Sequence, residues 1–340
     1  MATDLAGAAP VEEGDRPART SAARSTAAVV LGAGRSGTSA LTRGLLALGV
    51  DLGDRLRPPG GKNPTGFFED QDLLAINKKL RRAIGVRGDS LHLIDPSAWE
   101  APDVQRIKEE AVAIVRRRFG DVHLWGYKYG RTLRMLPFWE TVLAEAGVKL
   151  CGVVALRNPL SVARSRARIN PERGRQAWSD LEWLINVVPY FSHLQHHPFV
   201  VVDYDALMQD PSKQLERVAR GLDIPLDAAV REGIREYAGG FLRQDMRHSR
   251  FTLEDLVDNP NIIGVVRRAY PILHRLAHDQ TSLQDPALWR EWSRVEQELA
   301  DLGPVLVEMD RLRTQLLKTR WNPFSPLAAL RQQWRNLRSH

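Results

Sequence analysis

Short apolar runs alternate with amphipathic stretches along most of the chain. AAVVLG (27–32) precedes the helix-period segment SALTRGLLALG. VQRIKEEAVAIVRRRFG precedes the strand-like HLWGYK, and KLCGVVAL precedes PLSVARSRARI. A helical stretch, WSDLEWLINVVPYFSHL, leads into FVVVDY and then PSKQLERVARGL. Apolar runs that must be buried on both faces and are separated by helices describe a parallel sheet covered on both sides. The expected fold class is therefore α/β, a central parallel sheet flanked by helices over residues 26–251. Beyond Thr252 the strand signals stop. Leu288, Trp292, Val295, Leu299 and Leu302 recur at helical spacing until Gly303 and Pro304, and Leu306, Met309, Leu312 and Leu316 follow. This predicts a helical C-terminal extension over 252–340, packed on its own core or forming a dimerisation helix in a homodimer. Residues 1–25 carry no apolar period and read as a flexible lead.

Composition narrows the class. Of 340 residues 43% are hydrophobic and 26% charged, as in ordinary globular proteins. The single cysteine, Cys151, excludes an intrachain disulfide framework and a multi-cysteine zinc site, so a reducing cytoplasmic setting is expected. Neither a signal segment nor an apolar run of about 20 residues is present, so no membrane span is expected. The net charge is +7, yet the 48 basic residues are interleaved with 41 acidic ones. That argues against nucleic acid as a partner and for a small anionic ligand or an acidic surface. In residues 321–340, Leu327, Leu330, Trp334 and Leu337 share one helical face opposite Arg331, Arg335 and Arg338. Such a helix either docks on its own domain or makes peripheral contact with an anionic inner membrane face.

Two segments carry the chemistry. In the first, a strand runs into Gly32, Gly34 and Gly37 and then a helix, where exposed N–H groups and the helix N-terminus attract an anion. Compared with GxxxxGK[ST], Thr38 stands where a nucleoside triphosphatase has its lysine, and the loop's positive charge is Arg35. The pattern GxGxxG also matches, but Asp51 and Asp54 lack the preceding strand that a ribose-binding acid requires. In the second segment, Arg157 ends the strand KLCGVVAL, and Ser165 sits two turns into the next helix beside Arg164 and Arg168. Ligands of parallel sheets collect at the carboxyl ends of strands, so the two segments suit two separated phosphates of one nucleotide.

RSGTS (Arg35–Ser39) and RNPLSVARS (Arg157, Asn158, Pro159, Val162, Ser165) resemble the 5′-phosphosulfate and 3′-phosphate motifs of sulfotransferases that use 3′-phosphoadenosine 5′-phosphosulfate (PAPS). NPTGFFED, VDYDALMQDP and FLRQDMRHSR resemble further segments of bacterial members, and the resemblance spans about residues 27–251. It implies a fold like that of P-loop nucleoside triphosphate hydrolases. It also implies transfer of a sulfuryl group to a hydroxyl or amine of a small molecule, saccharide, lipid or secondary metabolite. The sulfuryl group carries less charge than a terminal phosphoryl, so no metal is expected. By the resemblance, Gly34, Arg35, Ser36, Gly37, Thr38 and Ser39 surround the 5′-phosphosulfate, with Arg35 on the leaving oxygen. Arg157 and Ser165 hold the 3′-phosphate and Arg247 and Arg250 close over it. Tyr204 lies against the adenine or belongs to the core.

Glu69, in GFFED, matches the general base of the glutamate-using members, and flanking Phe67 and Phe68 would desolvate it and raise its pKa. Its alternative is a helix N-terminal carboxylate beside Asp70 and Asp72. His92 and His123 are fallback bases, and Lys128 contacts the sulfuryl oxygens or is a strand-end surface lysine. Where related sequences often carry Lys-Asp-Pro-Arg, this chain has Lys128-Tyr129-Gly130-Arg131, without the rigid proline turn. The competing readings are a P-loop kinase or NTPase and a catalytically inactive nucleotide-binding scaffold.

Overall fold

The computed structural model describes residues 25–60, 66–241 and 251–321. Four strands, β1 (Thr26–Leu31), β2 (Leu124–Lys128), β3 (Lys149–Leu156) and β4 (Phe199–Asp203), form one sheet in the order β2-β1-β3-β4. All pairings are parallel, with Val30 opposite Lys128, Leu31 opposite Val154 and Leu156 opposite Asp203. Thirteen α-helices accompany them among the described residues. These are α1 (Thr38–Ala47), α2 (Gln71–Ala83), α3 (Pro102–Phe119), α4 (Leu136–Ala146), α5 (Pro159–Ala167), α6 (Gln176–Val187) and α7 (Tyr204–Gln209), then α8 (Pro211–Gly221), α9 (Ala228–Glu236), α10 (Leu253–Val257), α11 (Gly264–Ala277), α12 (Pro286–Asp301) and α13 (Gly303–Trp321).

Strand alternation divides the core in two. Ala28 and Val30 of β1 pack with Leu41 and Leu45 of α1, Leu215 of α8 and Ile234 of α9. Ala27, Val29 and Leu31 face the larger layer, which holds Ile76, Val115, Trp139, Val162, Trp183 and Leu273. Successive side chains of a strand point to opposite faces, so a strand buried on both sides must be apolar throughout, as β1 is. The chain runs from β1 to β2 on one side and from β3 to β4 on the other. The helices that follow β1 and β3, α1 and α5, lie against opposite faces, which opens a crevice at the carboxyl ends of these two neighbours.

Two boundaries differ from the pattern reading. The helix expected through WSDLEWLINVVPYFSHL ends at Val187, because Pro189 follows and Tyr190 takes a left-handed φ of 63°, leaving a 3₁₀ stretch at Phe191–His196. Tyr204 opens α7 rather than ending β4, since the Asp203 carboxylate accepts from Ala206 N at 2.9 Å and caps that helix. In the C-terminal part, Leu288, Trp292, Val295 and Leu299 of α12 enter the same core as β1 and β3. Leu306 of α13 is buried as well, whereas Leu312 and Leu316 are 47% and 70% exposed, so the second stripe runs off the body.

A pH-sensitive clamp ties α4 to the segment before β4. Glu140 receives His193 Nδ1 at 2.7 Å and His197 Nε2 at 2.9 Å. Burial would raise the Glu140 carboxyl, but the two imidazole hydrogen bonds outweigh it and hold the group at about 2; the same bond raises His193. The Glu140 contribution to stability is present above the ordinary 4.5 and lost as pH falls towards 2. The His193 contribution is complete below the ordinary 6.5 and lost as pH rises through its raised value. In thermal unfolding across pH 3 to 9, roughly, the deficit of Glu140→Gln against wild type is expected to be widest between those limits and to shrink on both sides; a pH-independent deficit refutes the clamp.

Candidate active site

The loop Gly32–Gly37 leaves β1 at the crevice. Gly32 has φ 124°, and a Cβ there would lie 2.5 Å from the Ala155 carbonyl oxygen; at Gly37, φ 85°, it would lie 2.1 Å from Tyr204 Cδ2. Both positions therefore exclude any side chain. Gly34 meets nothing within 4 Å, so its missing side chain leaves space in the crevice instead. Arg35 takes a left-handed φ of 78°, a strain of about 1 kcal/mol for a non-glycine residue. Gly37 stands at the N-cap of α1 with no side chain capping the helix and no acid in its first turn. The N-terminal dipole of α1 is thus left to the loop.

The second motif meets the first at this point. Arg35 Nε donates to Ser165 Oγ at 3.1 Å, and Arg157 Nη1 donates to the Arg35 carbonyl at 3.2 Å. The Arg157 guanidinium lies 4.4 Å from the centroid of the Tyr204 ring, whose edge abuts Gly37. Tyr204 thereby braces both motifs, a cation–π contact of about 1 kcal/mol. Asn158 caps α5 through Leu160 N at 3.0 Å, and its amide donates to the carbonyls of Phe251 and Thr252. Burial, then the Arg157 charge, lowers the Arg35 guanidinium, although the residue as a whole stays exposed at the crevice mouth; burial also lowers Arg157. Two crowded guanidiniums with an unpartnered, buried Ser36 Oγ and Arg157 Nε beside them form a place that an anion would stabilise. A nucleotide carrying phosphates fits these residues.

Glu69 is buried beside the loop. Lys128 Nζ donates to Glu69 Oε1 at 3.1 Å and to Ser39 Oγ at 3.2 Å, while Arg57 Nη1 donates to Glu69 Oε2 at 3.1 Å. Burial lowers the Lys128 ammonium and Glu69 counters this. A lysine from β2 thus reaches the first turn of α1 at Ser39. Of the flanking aromatics, Phe67 carries the Arg57 guanidinium at 3.8 Å, and Phe68 packs on the core. The desolvated environment expected from the two rings is instead one in which each Glu69 oxygen has a cation, leaving further lone pairs for an incoming hydroxyl. The neighbouring Asp70 caps α2, so the helix N-terminal role falls to the next residue.

Sequence reasoning missed Arg57. Its segment pairs antiparallel with the Glu69 segment, with Arg57 N donating to the Glu69 carbonyl at 2.7 Å, an arrangement without apolar periodicity to reveal it. The turn Lys128-Tyr129-Gly130-Arg131 is held by the residue that follows it. Thr132 Oγ1 accepts from Tyr129 N at 3.1 Å and donates to the Tyr129 carbonyl at 2.6 Å, stiffening the turn that lacks proline. A cavity of about 160 Å³ opens between this turn and Gly34–Arg35. His123 lies at the amino end of β2, its carbonyl accepting from Thr26 N, away from the crevice. His92 Nδ1 is paired with Asp310 at 2.8 Å. Arg247, Arg250 and the tail 322–340 lie outside the described residues. No described helix is long and apolar enough to cross a membrane.

No family model and no curated protein matches the chain. Solved structures resemble it in chain course. STF9 from Mycobacterium avium is 16% identical over 79% of this chain and 76% of its own, with a TM-score of 0.40. A domain of the Synechococcus PCC 7002 olefin synthase is 16% identical over 84% and 98%, TM-score 0.38. A domain from the curacin biosynthetic pathway is 17% identical over 82% and 98%, TM-score 0.34. All three are sulfotransferases. At this level the likeness is loose, and the site's own residues carry the functional reading.

The two open glycine roles are separable by stability. Gly37→Ala is expected to lose about 2 kcal/mol through the Tyr204 clash and its φ, and Gly34→Ala less than about 0.5 kcal/mol, by urea unfolding. Equal losses would contradict the loop geometry.

Proposed function

We propose that the protein is a sulfotransferase that takes a sulfuryl group from PAPS and places it on a hydroxyl or amine. The observation that carries this reading is the junction of the two motifs, Arg35 Nε to Ser165 Oγ at 3.1 Å with Arg157 on the Arg35 carbonyl. It supports the reading because the two motifs, each at a strand end, meet in one crevice, as binding one nucleotide with two phosphate-bearing positions would require. Arg157 and Ser165 hold the 3′-phosphate, the feature that separates this donor from ATP. Gly34 to Ser39 and the N-terminus of α1 hold the 5′ end.

The donor supplies an electrophilic sulfur whose bond to the 5′-phosphate oxygen breaks as the acceptor oxygen bonds to it, leaving 3′,5′-adenosine bisphosphate. Glu69 takes the acceptor proton on an oxygen that Lys128 and Arg57 keep aimed. Arg35 and Lys128 face the charge that develops on the leaving phosphate and the sulfuryl oxygens, and they are fixed before the reaction begins. A kinase or NTPase reading lacks its loop lysine, since Thr38 is buried in its place. The cations here come from Arg35 and β2.

Calorimetry decides between them. Adenosine bisphosphate is expected to bind wild type tightly and ATP with magnesium weakly, and Arg157→Ala is expected to cost about 1.5–3 kcal/mol of bisphosphate affinity. ATP binding without bisphosphate binding overturns the proposal. Glu69→Gln is expected to bind the bisphosphate as wild type does while turnover falls about 10²–10⁴-fold; unchanged turnover removes Glu69 as the base.

A further inference from the structure

The cavity beside Arg35 has a charge pattern that the donor does not account for. Besides Arg35 it is lined by Arg131, Arg166 and Arg173, with Glu182 the one carboxylate among its described lining residues. That carboxylate is already saturated. Arg173 grips it through Nε at 2.7 Å and Nη2 at 2.6 Å, Trp178 Nε1 donates at 2.9 Å, and Arg166 stands 3.8 Å away. Arg131 donates to the Gly88 carbonyl and, among the described residues, forms no ion pair at the cavity wall.

Arg166 is almost fully buried, donating to the Ser179 carbonyl at 2.6 Å, to Ser179 Oγ at 2.9 Å and to the Gly34 carbonyl at 3.4 Å. Burial lowers it to about 10, and the like charges of Arg173 and Arg131 push the same way. An excess of guanidinium in a partly enclosed space, rather than spread over a surface, is a place where an anion gains most. One polar atom adds a second requirement. Asn186 lines the same cavity, is 94% buried on its 6% exposure, and donates Nδ2 to the Glu182 carbonyl at 2.7 Å. This bond sets the amide orientation and leaves its buried Oδ1 without a partner, as an acceptor for an O–H or N–H.

We propose that this cavity receives the acceptor and that the acceptor is anionic, bearing a carboxylate or a phosphate or sulfate monoester held by Arg131 and Arg173, with a hydrogen-bond donor met by Asn186. The proposal rests on the sulfuryl-transfer reading, because Gly34 and Arg35 form the wall through which the cavity reaches the transfer loop. It narrows the acceptors from hydroxylated compounds in general to acids.

The test is calorimetry on protein saturated with 3′,5′-adenosine bisphosphate, titrated with 4-hydroxybenzoate, 4-hydroxyphenyl phosphate and their neutral counterpart 4-hydroxybenzyl alcohol. The anionic probes are expected to bind at least about tenfold more tightly than the alcohol. Arg131→Gln should remove most of that difference, and Asn186→Leu should weaken all three probes together. Because losing Arg173 outright would strand the buried Glu182, Arg173→Lys is the companion variant, expected to weaken the anions severalfold while Glu182 keeps a cation. Which of the two anions binds better separates a carboxylate from a phosphate acceptor. Equal binding of anionic and neutral probes, no binding of any probe, or anion binding unchanged in both arginine variants overturns the proposal. Bisphosphate binding is measured first in every protein. Its absence in wild type would refute the donor reading, while the same probe titrations on ligand-free wild type, Arg131→Gln and Arg173→Lys would still report on the cavity.

Discussion

Parallel pairing of β1 with β3 is the constraint on which the site depends. Because Leu31 and Val154 are opposite one another, the chain leaves both strands at one edge, and the helices that follow depart to opposite faces. Peptide groups at that edge have no further strand to pair with, and helix N-termini point towards it. The loop from Gly32 to Gly37 can fill the gap only in a conformation that excludes Cβ atoms at both ends and forces Arg35 into the left-handed region. In exchange, Arg35 faces Ser165, and its carbonyl is the acceptor for Arg157. One register relation thus sets three side chains and one strained residue.

The electrostatics follow from the same edge. Val30 is opposite Lys128 on the other flank of β1, so β2 delivers an ammonium to the start of α1, where Ser39 and Glu69 meet it. Arg57 and Lys128 share the buried carboxylate of Glu69, while Arg35 and Arg157 crowd one another at the loop. Partly desolvated cations in such excess are unfavourable without a ligand and favourable with a polyanionic one. The fold stabilises this arrangement elsewhere: Tyr204 beneath Arg157, Asp70 capping α2, and Thr132 clipping the turn after β2.

The C-terminal helices are joined to this region and not merely appended to the body. Asp310 of α13 accepts from Leu91 N at 2.8 Å and His92 N at 3.0 Å, and Arg313 lies 4.4 Å over the Trp178 ring. Trp178 in turn donates to Glu182 beside the cavity at 2.9 Å. A continuous series of contacts therefore runs from α13 to the wall of the cavity. Separately, the α12 stripe shares one apolar cluster with the sheet core.

The sequence by itself determined the elements and the two motifs at the strand ends. Apolar runs between amphipathic segments specify β1, β3 and β4, because burial on both faces leaves no polar position to spare. Glycines at 32 and 37 and the order Arg157, Asn158, Pro159 are local signals, since turn geometry and helix capping act over a few residues. Glu69, Lys128, Arg35 and Ser165 were legible as candidates by type and place. Only the tertiary structure decided that Arg57 shares Glu69 with Lys128, that Tyr204 serves Arg157 and Gly37, and that Arg131, Arg166 and Arg173 surround one cavity. Those relations join residues far apart in the chain, fixed by strand register and helix packing, for which no residue spacing in the sequence carries a signal.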